Sequence, residues 1–548
     1  MLNVYKLEQQ IEMQMEAGHV PGLAIAIVQD QGVIYARGFG ITSVEDGGLP
    51  VTPQTLFRIG SVTKPLLGTA VMRLVEAGRL ELDQPIKEYI NWIRFSQKDA
   101  EECITLRMLL SHTAGLPSDS RDDAGDPDGL ERYVREQIPR YSFVAPPGRL
   151  YSYSNCGFNL IGYIAQTVSG RRFPDLMQEL VFNPLEMKHT TFDPRLVLTY
   201  PFALPHILND GMLNVLHRIS ESCAYAPSGQ AYSTVLDLAN FAMLHLQYGR
   251  FREKQLLSTQ SVLEMQKPHT NRYTVNDSGY GLSFETMTYK GVDCFGHSGS
   301  MSTFGCQLMT LPEKKLALVL MVSRIAFMKR LVGRIMDHLL DMPREHMKPL
   351  ANKPDRSSWS NYTGAYLGMR AGLAIISIEN DQLVLELNGQ HIPLEAHSHG
   401  VYFGYCPGSD TWCSVGFVAE TTGPVCYIMI DERLCERFEH NFLFSPDPAY
   451  WRRYSGTYRE NGNNETIDIR VEDHGLVLRL HDNDASTMEG TCIPLDENRF
   501  AWSGGLIEFE IADDGTVPAL TAMQVYRFGH VFEPDPKAAR RISKKSNL

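Results

Sequence analysis

The stretch "GSVTK", residues 60–64, places Ser61 three positions before Lys64 at the head of a run with helical apolar spacing. Residues three apart share a helix face, so the amine lies beside the hydroxyl. A serine hydroxyl is a poor nucleophile until a base takes its proton, and a lysine does so only when burial or nearby positive charge lowers its pKa. The positive end of a helix supplies such a potential. Pro65 suits the first turn, where its missing N–H costs no intrahelical bond. A Ser-x-x-Lys also arises about once by chance in a chain this long. Ser61 as the plain cap of a core helix ending at Gly78 therefore stands open beside Ser61 as a nucleophile.

Four further segments follow in order: "ITLRMLLSHTAGLP" (104–117), "PPGRLYSYSNCGFNLIGYI" (146–164), "APSGQAYSTVLDLANFA" (226–242) and "GHSGSMSTFG" (296–305). Together with "GSVTK" this set resembles the serine β-lactamase and penicillin-recognising enzyme superfamily, over roughly residues 5–340. The resemblance implies that Ser61 is the acyl-accepting nucleophile and Lys64 its activating partner. Tyr153 would be the general base that later returns a proton to the leaving group, and Asn155 would bind substrate or hold Lys64. Tyr-x-Asn also occurs at Tyr89-Ile90-Asn91, but only Tyr153-Ser154-Asn155 has the superfamily's flanking residues. A phenol of reference pKa ~10 is almost wholly protonated at neutral pH, so a tyrosine base needs a stabilising charge, which Lys64 could supply.

His297-Ser298-Gly299 stand where many relatives carry Lys-Thr-Gly. A histidine, with reference pKa ~6.5, is mostly neutral at pH 7, so strong recognition of a free substrate carboxylate is not expected. Gly299 lets substrate backbone approach, or else serves a tight strand turn, and the amides of Ser61 and Ser300 form the oxyanion hole by analogy. His112 in "SHTAGLP" reads as part of a structural turn rather than as a base. No residues with metal-site spacing are seen, and no cofactor is implied.

These residues must be positioned by elements legible from their periodicity. The opening "MLNVYKLEQQIEMQMEAG" reads as an amphipathic helix, and "GLAIAIVQDQGVIYARGFG" as a hairpin, alternating apolar and polar about an Asp30-Gln31-Gly32 turn. Apolar spacing is mostly helical from about 84 to 270. Strand-like runs return in "YGLSFETMTYKGVDCFGHSG" and "CQLMTLPEKKLALVLMVS", and a helix at roughly 325–341 closes the region. The fold class is thus α+β, with an antiparallel sheet joining the two ends of the region, flanking helices and a helical middle; the resemblance implies that this is a β-lactamase-like domain, over residues 1–343.

After a linker at 344–354 the sequence repeats itself. "NYTGAY", "IISIENDQLVLEL" and "IPLEAHSHGVYF" return in the same order as "RYSGTY", "IDIRVEDHGLVLRL" and "IPLDENRFAW". Two small antiparallel β-barrel (lipocalin-like) domains are expected, at 355–447 and 450–535, before a basic tail at 536–548.

A formal net charge of −13 argues against nucleic-acid or anionic-membrane partners and fits small neutral or cationic ligands better; the expected partner is a small-molecule or short-peptide substrate. No apolar run reaches the ~18 residues of a membrane span, and the start lacks the basic and apolar regions of a signal peptide, so a cytoplasmic protein is expected. The 10 scattered cysteines read as reduced, mostly buried thiols. Edge strands of small barrels admit a homo-oligomer.

A catalytic domain followed by two similar barrels resembles the D-aminopeptidase branch of the superfamily. This implies a serine hydrolase cleaving an amide or ester through an acyl-enzyme on Ser61, best read as a D-stereospecific aminopeptidase. A carboxylesterase on small acyl esters, with weak lactam turnover, is the first alternative. A catalytically silent binding or scaffold member is the second.

Overall fold

The computed structural model describes residues 2–534 apart from 119–124, 210, 218–220, 327, 344–347, 369–370, 388, 399, 408–410, 419–422, 439–450, 461–465, 473–474, 482–486, 503–504, 513–516, 518 and 524–529. The expected tail at 536–548 and part of the expected linker lie outside the described residues. Two compact units emerge, one within Met1–Asn271 and Ser278–Met347, the other within Arg272–Asp277 and Lys348–Leu548.

The first unit is built on an antiparallel sheet of 8 strands. In chain order these are β1 (Gly22–Gln29), β2 (Gly32–Gly40), β3 (Thr270–Asn271), β4 (Gly279–Tyr280), β5 (Glu285–Tyr289), β6 (Val292–Met301), β7 (Phe304–Leu311) and β8 (Leu316–Val322). Their spatial order is β2-β1-β8-β7-β6-β5-β4-β3, so β1 pairs with β8 and the two ends of the unit meet, with Ile25 opposite Leu320.

Helices cover both faces of this sheet. Leu7, Ile11 and Met15 of α1 (Val4–Ala17) and Leu331, Ile335 and Met336 of α5 (Met328–Leu339) pack with Leu23, Ile25, Leu318 and Leu320. The opposite face, with Ala24, Ala26, Ala317 and Val319, packs on α2 (Thr63–Glu76), α3 (Asn155–Ser169) and α4 (Val235–Leu246). Burial on both faces explains why β1, "GLAIAIVQ", is apolar almost throughout instead of alternating as expected from the hairpin pattern. Its partner β2, at the sheet edge, is largely open to solvent, with Val33, Ile34 and Arg37 exposed.

Helix α2 is buried on nearly every side, which its long apolar run permits. Gly78, with φ 66°, follows its end in the left-handed conformation that glycine adopts without cost.

The second unit holds two antiparallel sheets. One has 9 strands between Gly364 and Phe438, with its outer strands Gln390–Pro393 and Glu395–Ser398 joined through Leu394, so it is nearly closed. The other is a closed barrel of 8 strands between Gly456 and Pro534, sealed where Tyr458 pairs with Pro534. The sequence repeat becomes a structural one. Tyr366 donates its hydroxyl to the Tyr362 carbonyl at 2.7 Å, and Tyr458 to that of Tyr454 at 3.0 Å. Tyr362 stacks on Phe417 with centroids 4.0 Å apart, and Tyr454 stacks on Phe509 at the same 4.0 Å. Between the two sheets Ala365, Leu367 and Leu373 pack with Leu495 and Ala501.

All 10 cysteines are free thiols. Among the described residues no helix is long and apolar enough to cross a membrane, and no group of three or more His, Cys, Asp or Glu could hold a metal ion.

Candidate active site

Ser61 lies in a single 3-10 turn, Gly60–Val62, that runs straight into α2. Its hydroxyl does not cap the helix. Thr63 instead donates its hydroxyl to the Gly60 carbonyl at 2.7 Å, and the Ser61 Oγ points to side chains from elsewhere in the chain. The turn is forced by a close crossing of two backbones. Gly60 has φ 52°, and a Cβ there would lie 2.6 Å from the Ser300 nitrogen. A Cβ on Gly299 would lie 2.0 Å from the Ile59 carbonyl oxygen. Glycine at both positions is what lets β6 press against the nucleophile turn.

Lys64, one turn on, reaches back with its Nζ to the Ser61 Oγ at 2.9 Å. The same nitrogen meets Asn155 Oδ1 at 2.7 Å and the Ser228 carbonyl at 2.8 Å. Both of these are acceptors only, so they consume two N–H bonds. In its neutral form the amine has two such hydrogens and one lone pair, so with both hydrogens used in this way the lone pair would be free to face Ser61. Lys64 is 0% exposed, and burial holds its amine well below the ordinary lysine pKa, partly opposed by the charge of Glu285.

Tyr153 donates its hydroxyl to the Ser61 Oγ at 2.8 Å, so the serine oxygen is held from two sides. The intervening Ser154 explains the Tyr-x-Asn spacing. Its side chain caps α3, accepting the Gly157 N–H at 2.9 Å, which fixes Asn155 as the first helical residue and Tyr153 just outside the helix. The competing triplet at 89–91 has no such surroundings, since Tyr89 bonds Gln84 and the Glu81 backbone.

His297 is 1% exposed. Its Nε2 meets the Tyr280 hydroxyl at 2.8 Å and its Nδ1 faces the Ser298 carbonyl at 2.6 Å, so Nδ1 carries a proton. Its ring lies 6.3 Å from that of Tyr153, centroid to centroid. The fold therefore brings Ser61, Lys64, Tyr153 and Asn155 into direct contact. It sets Gly299 and Ser300 against the Gly60–Ser61 backbone and places His297 beside Tyr153.

Four participants escaped the sequence reading. The Ser228 carbonyl lies within the quoted "APSGQ" segment, but a backbone acceptor leaves no letter to read. Tyr280 and Glu285 sit in "YGLSFE", where only the strand pattern was legible. His112, read as part of a turn, accepts the Ser154 N–H on Nδ1 at 3.0 Å and so orients the loop that carries Tyr153.

The family model described as Beta-lactamase matches residues 7–335. Protein flp of Staphylococcus aureus (strain MW2) is 25% identical over 340 residues, which are 61% of this chain and 65% of that protein, so the chain spans less than two thirds of this relative. Penicillin-binding protein 4 of Amycolatopsis lactamdurans is 26% identical over 314 residues, 56% of this chain and 81% of the relative. The octameric penicillin-binding protein homologue from Pyrococcus abyssi has a similar structure, with a TM-score of 0.56 and 25% identity over 79% of this chain and 100% of that one.

Proposed function

The chain belongs to the Beta-lactamase family, and from that premise we propose that it is a serine hydrolase that cleaves an amide or ester through an acyl-enzyme on Ser61. The observation that carries this reading is the pair of contacts on one oxygen: Lys64 Nζ at 2.9 Å and Tyr153 Oη at 2.8 Å from Ser61 Oγ. Two carbonyl acceptors occupy the amine's hydrogens, so its lone pair takes the Ser61 proton as the oxygen attacks the substrate carbonyl. Tyr153 then passes a proton to the departing amine or alcohol and accepts one from the water that hydrolyses the ester. Assigning the first proton transfer to Lys64 suits its depressed pKa better than a permanently charged lysine sustaining a phenolate. The developing oxyanion is received by the amides of Ser61 and Ser300, which the Gly60–Gly299 crossing brings side by side.

Within this chemistry the D-stereospecific aminopeptidase reading is preferred. It is supported by the succession of one β-lactamase-like unit and two barrel sheets, and by a buried histidine in place of a permanent cation at position 297. Fluorophosphonate labelling of the folded chain, lost in Ser61→Ala, tests the nucleophile. A panel of D- and L-alanine p-nitroanilides with p-nitrophenyl esters tests the specificity. The expected result is faster turnover of the D-anilide than of the L-anilide. Ester turnover faster by orders of magnitude and without chiral preference makes the protein a carboxylesterase instead. Self-association is part of the proposal, since one similar structure is described as octameric. Light scattering after gel filtration measures it.

A further inference from the structure

Strand β6 has an open edge beside the nucleophile. β7 pairs with it over Phe295–Met301, but β5 pairs over Val292–Gly296, so among the described residues no strand pairs with His297–Met301 on that side. Ser298 is exposed on this stretch, and its Oγ donates to Glu285 Oε1 at 3.2 Å. Glu285 begins β5 and is 9% exposed.

Besides Ser298, the carboxylate has His297 near it, whose Nδ1 is 4.0 Å away and directs its proton at the Ser298 carbonyl. Among the described residues no lysine or arginine forms an ion pair with Glu285. A largely buried carboxylate that forms no ion pair with a lysine or arginine can be matched by a ligand cation. Its field also reaches the reacting centre, because it opposes the depression of the Lys64 pKa.

We propose that Glu285 and the Ser298 hydroxyl form a subsite for a positively charged substrate group, and that this subsite excludes substrates carrying a carboxylate there. Lysine at position 297 would make this end of the strand attract carboxylates. His297 is buried and tied to Tyr280, and Glu285 places a carboxylate at the open edge. An ammonium or guanidinium placed there donates a charge-assisted hydrogen bond to the Glu285 carboxylate, and the Ser298 oxygen offers it a second acceptor. The proposal rests on Ser61 being the nucleophile and names the class of substrate it attacks.

The test follows Ser61 labelling by an uncharged fluorophosphonate in the full chain, protected by three dipeptides of similar size. These are D-alanyl-D-alaninamide (cationic), N-acetyl-D-alanyl-D-alaninamide (neutral) and N-acetyl-D-alanyl-D-alanine (anionic). Protection is expressed as a ratio within each protein, so changes in Ser61 reactivity cancel. In the wild type the cation should protect at concentrations at least about 10-fold lower than the anion, with the neutral compound between them. In Glu285→Gln the three should converge to within about 3-fold, and Glu285→Asp should restore the order. Raising salt should weaken protection by the cation and leave the neutral compound unchanged, a readout that needs no variant. Labelling with protection independent of charge, or an order unchanged in Glu285→Gln, overturns the subsite and leaves the nucleophile standing. No labelling of folded wild type overturns both.

Discussion

His112 lies against Tyr153 with ring centroids 4.4 Å apart, and its Nδ1 accepts the N–H of the next residue, Ser154, at 3.0 Å. The imidazole thus grips both the ring and the backbone of the group that donates to Ser61. Removing the tyrosine hydroxyl and removing the imidazole should therefore differ in kind. Tyr153→Phe keeps the ring stack and should melt within about 2 °C of wild type while kcat falls by about 10²–10⁴, the usual range for a lost proton-transfer group. His112→Ala should lower both melting temperature and kcat, because it opens a cavity beneath the ring and frees the loop. Paired thermal melts and steady-state kinetics check this. Equal thermal losses in the two variants would sink the division of roles.

The buried amine of Lys64 sets a pH dependence of definite sign. It works as a base only when neutral, so activity should rise with pH through its folded-state pKa, which lies well below the ordinary lysine value. Lys64→Arg, with a guanidinium that stays protonated, should abolish turnover across the whole neutral range. Stability follows the same group. Between the depressed folded pKa and the ordinary unfolded one, the unfolded chain binds more protons, so folding stability gains with rising pH in that window. Urea melts of wild type at several pH values should show this slope, and Lys64→Met should lack it.

The parts of this site legible in the sequence are those set by local geometry. Ser61 and Lys64 are three residues apart, and one turn of helix is enough to join them. Tyr153 and Asn155 are fixed by the cap residue between them, Ser154. What stayed hidden depends on contacts far apart in the chain. Whether Ser61 caps α2 or faces the cleft is decided by Ser300 crossing Gly60, some 240 positions away, and no local pattern encodes that. Tyr280 reaches His297 only because β4, β5 and β6 are neighbours in a particular register. The all-apolar β1 departs from the expected alternation because α1 and α5 cover the face a simple hairpin would leave wet.

The crossing itself can be tested. Gly299→Ala aims a methyl group at the Ile59 carbonyl, 2.0 Å away, and at the Ser61 nitrogen, 3.1 Å away. Backbone on both sides leaves nothing flexible to yield. β6 must therefore retreat from the nucleophile turn, separating the Ser61 and Ser300 amides. A loss of about 10²–10³ in kcat is expected, the cost of one lost oxyanion donor, together with about 1–3 kcal/mol of stability. Gly305→Ala, where Val322 and Ile325 side chains line the added carbon and can shift, serves as the comparison and should leave fluorophosphonate labelling far closer to wild type.

The duplicated barrels allow a prediction made twice on one molecule. Tyr366 and Tyr458 each return a hydroxyl to a tyrosine carbonyl four residues earlier, at 2.7 and 3.0 Å, and each sits in an apolar interior. Tyr→Phe at either position removes the donor and leaves a buried carbonyl less well satisfied, which costs about 1 kcal/mol for a neutral pair. The two sites are not equivalent in surroundings. The Tyr366 hydroxyl also accepts from Arg437 Nη2 at 2.6 Å, and that guanidinium further bonds the Asn361, Thr363 and Val425 carbonyls. Tyr366→Phe therefore strips one acceptor from a half-buried cation and should cost more than Tyr458→Phe, by about 1 kcal/mol or more. With no shared partner, the double variant should be additive to within about 0.5 kcal/mol. Denaturant melts of the four proteins measure all three quantities. A Tyr458→Phe loss equal to or above that of Tyr366→Phe would show that Arg437 contributes nothing to closing the first sheet.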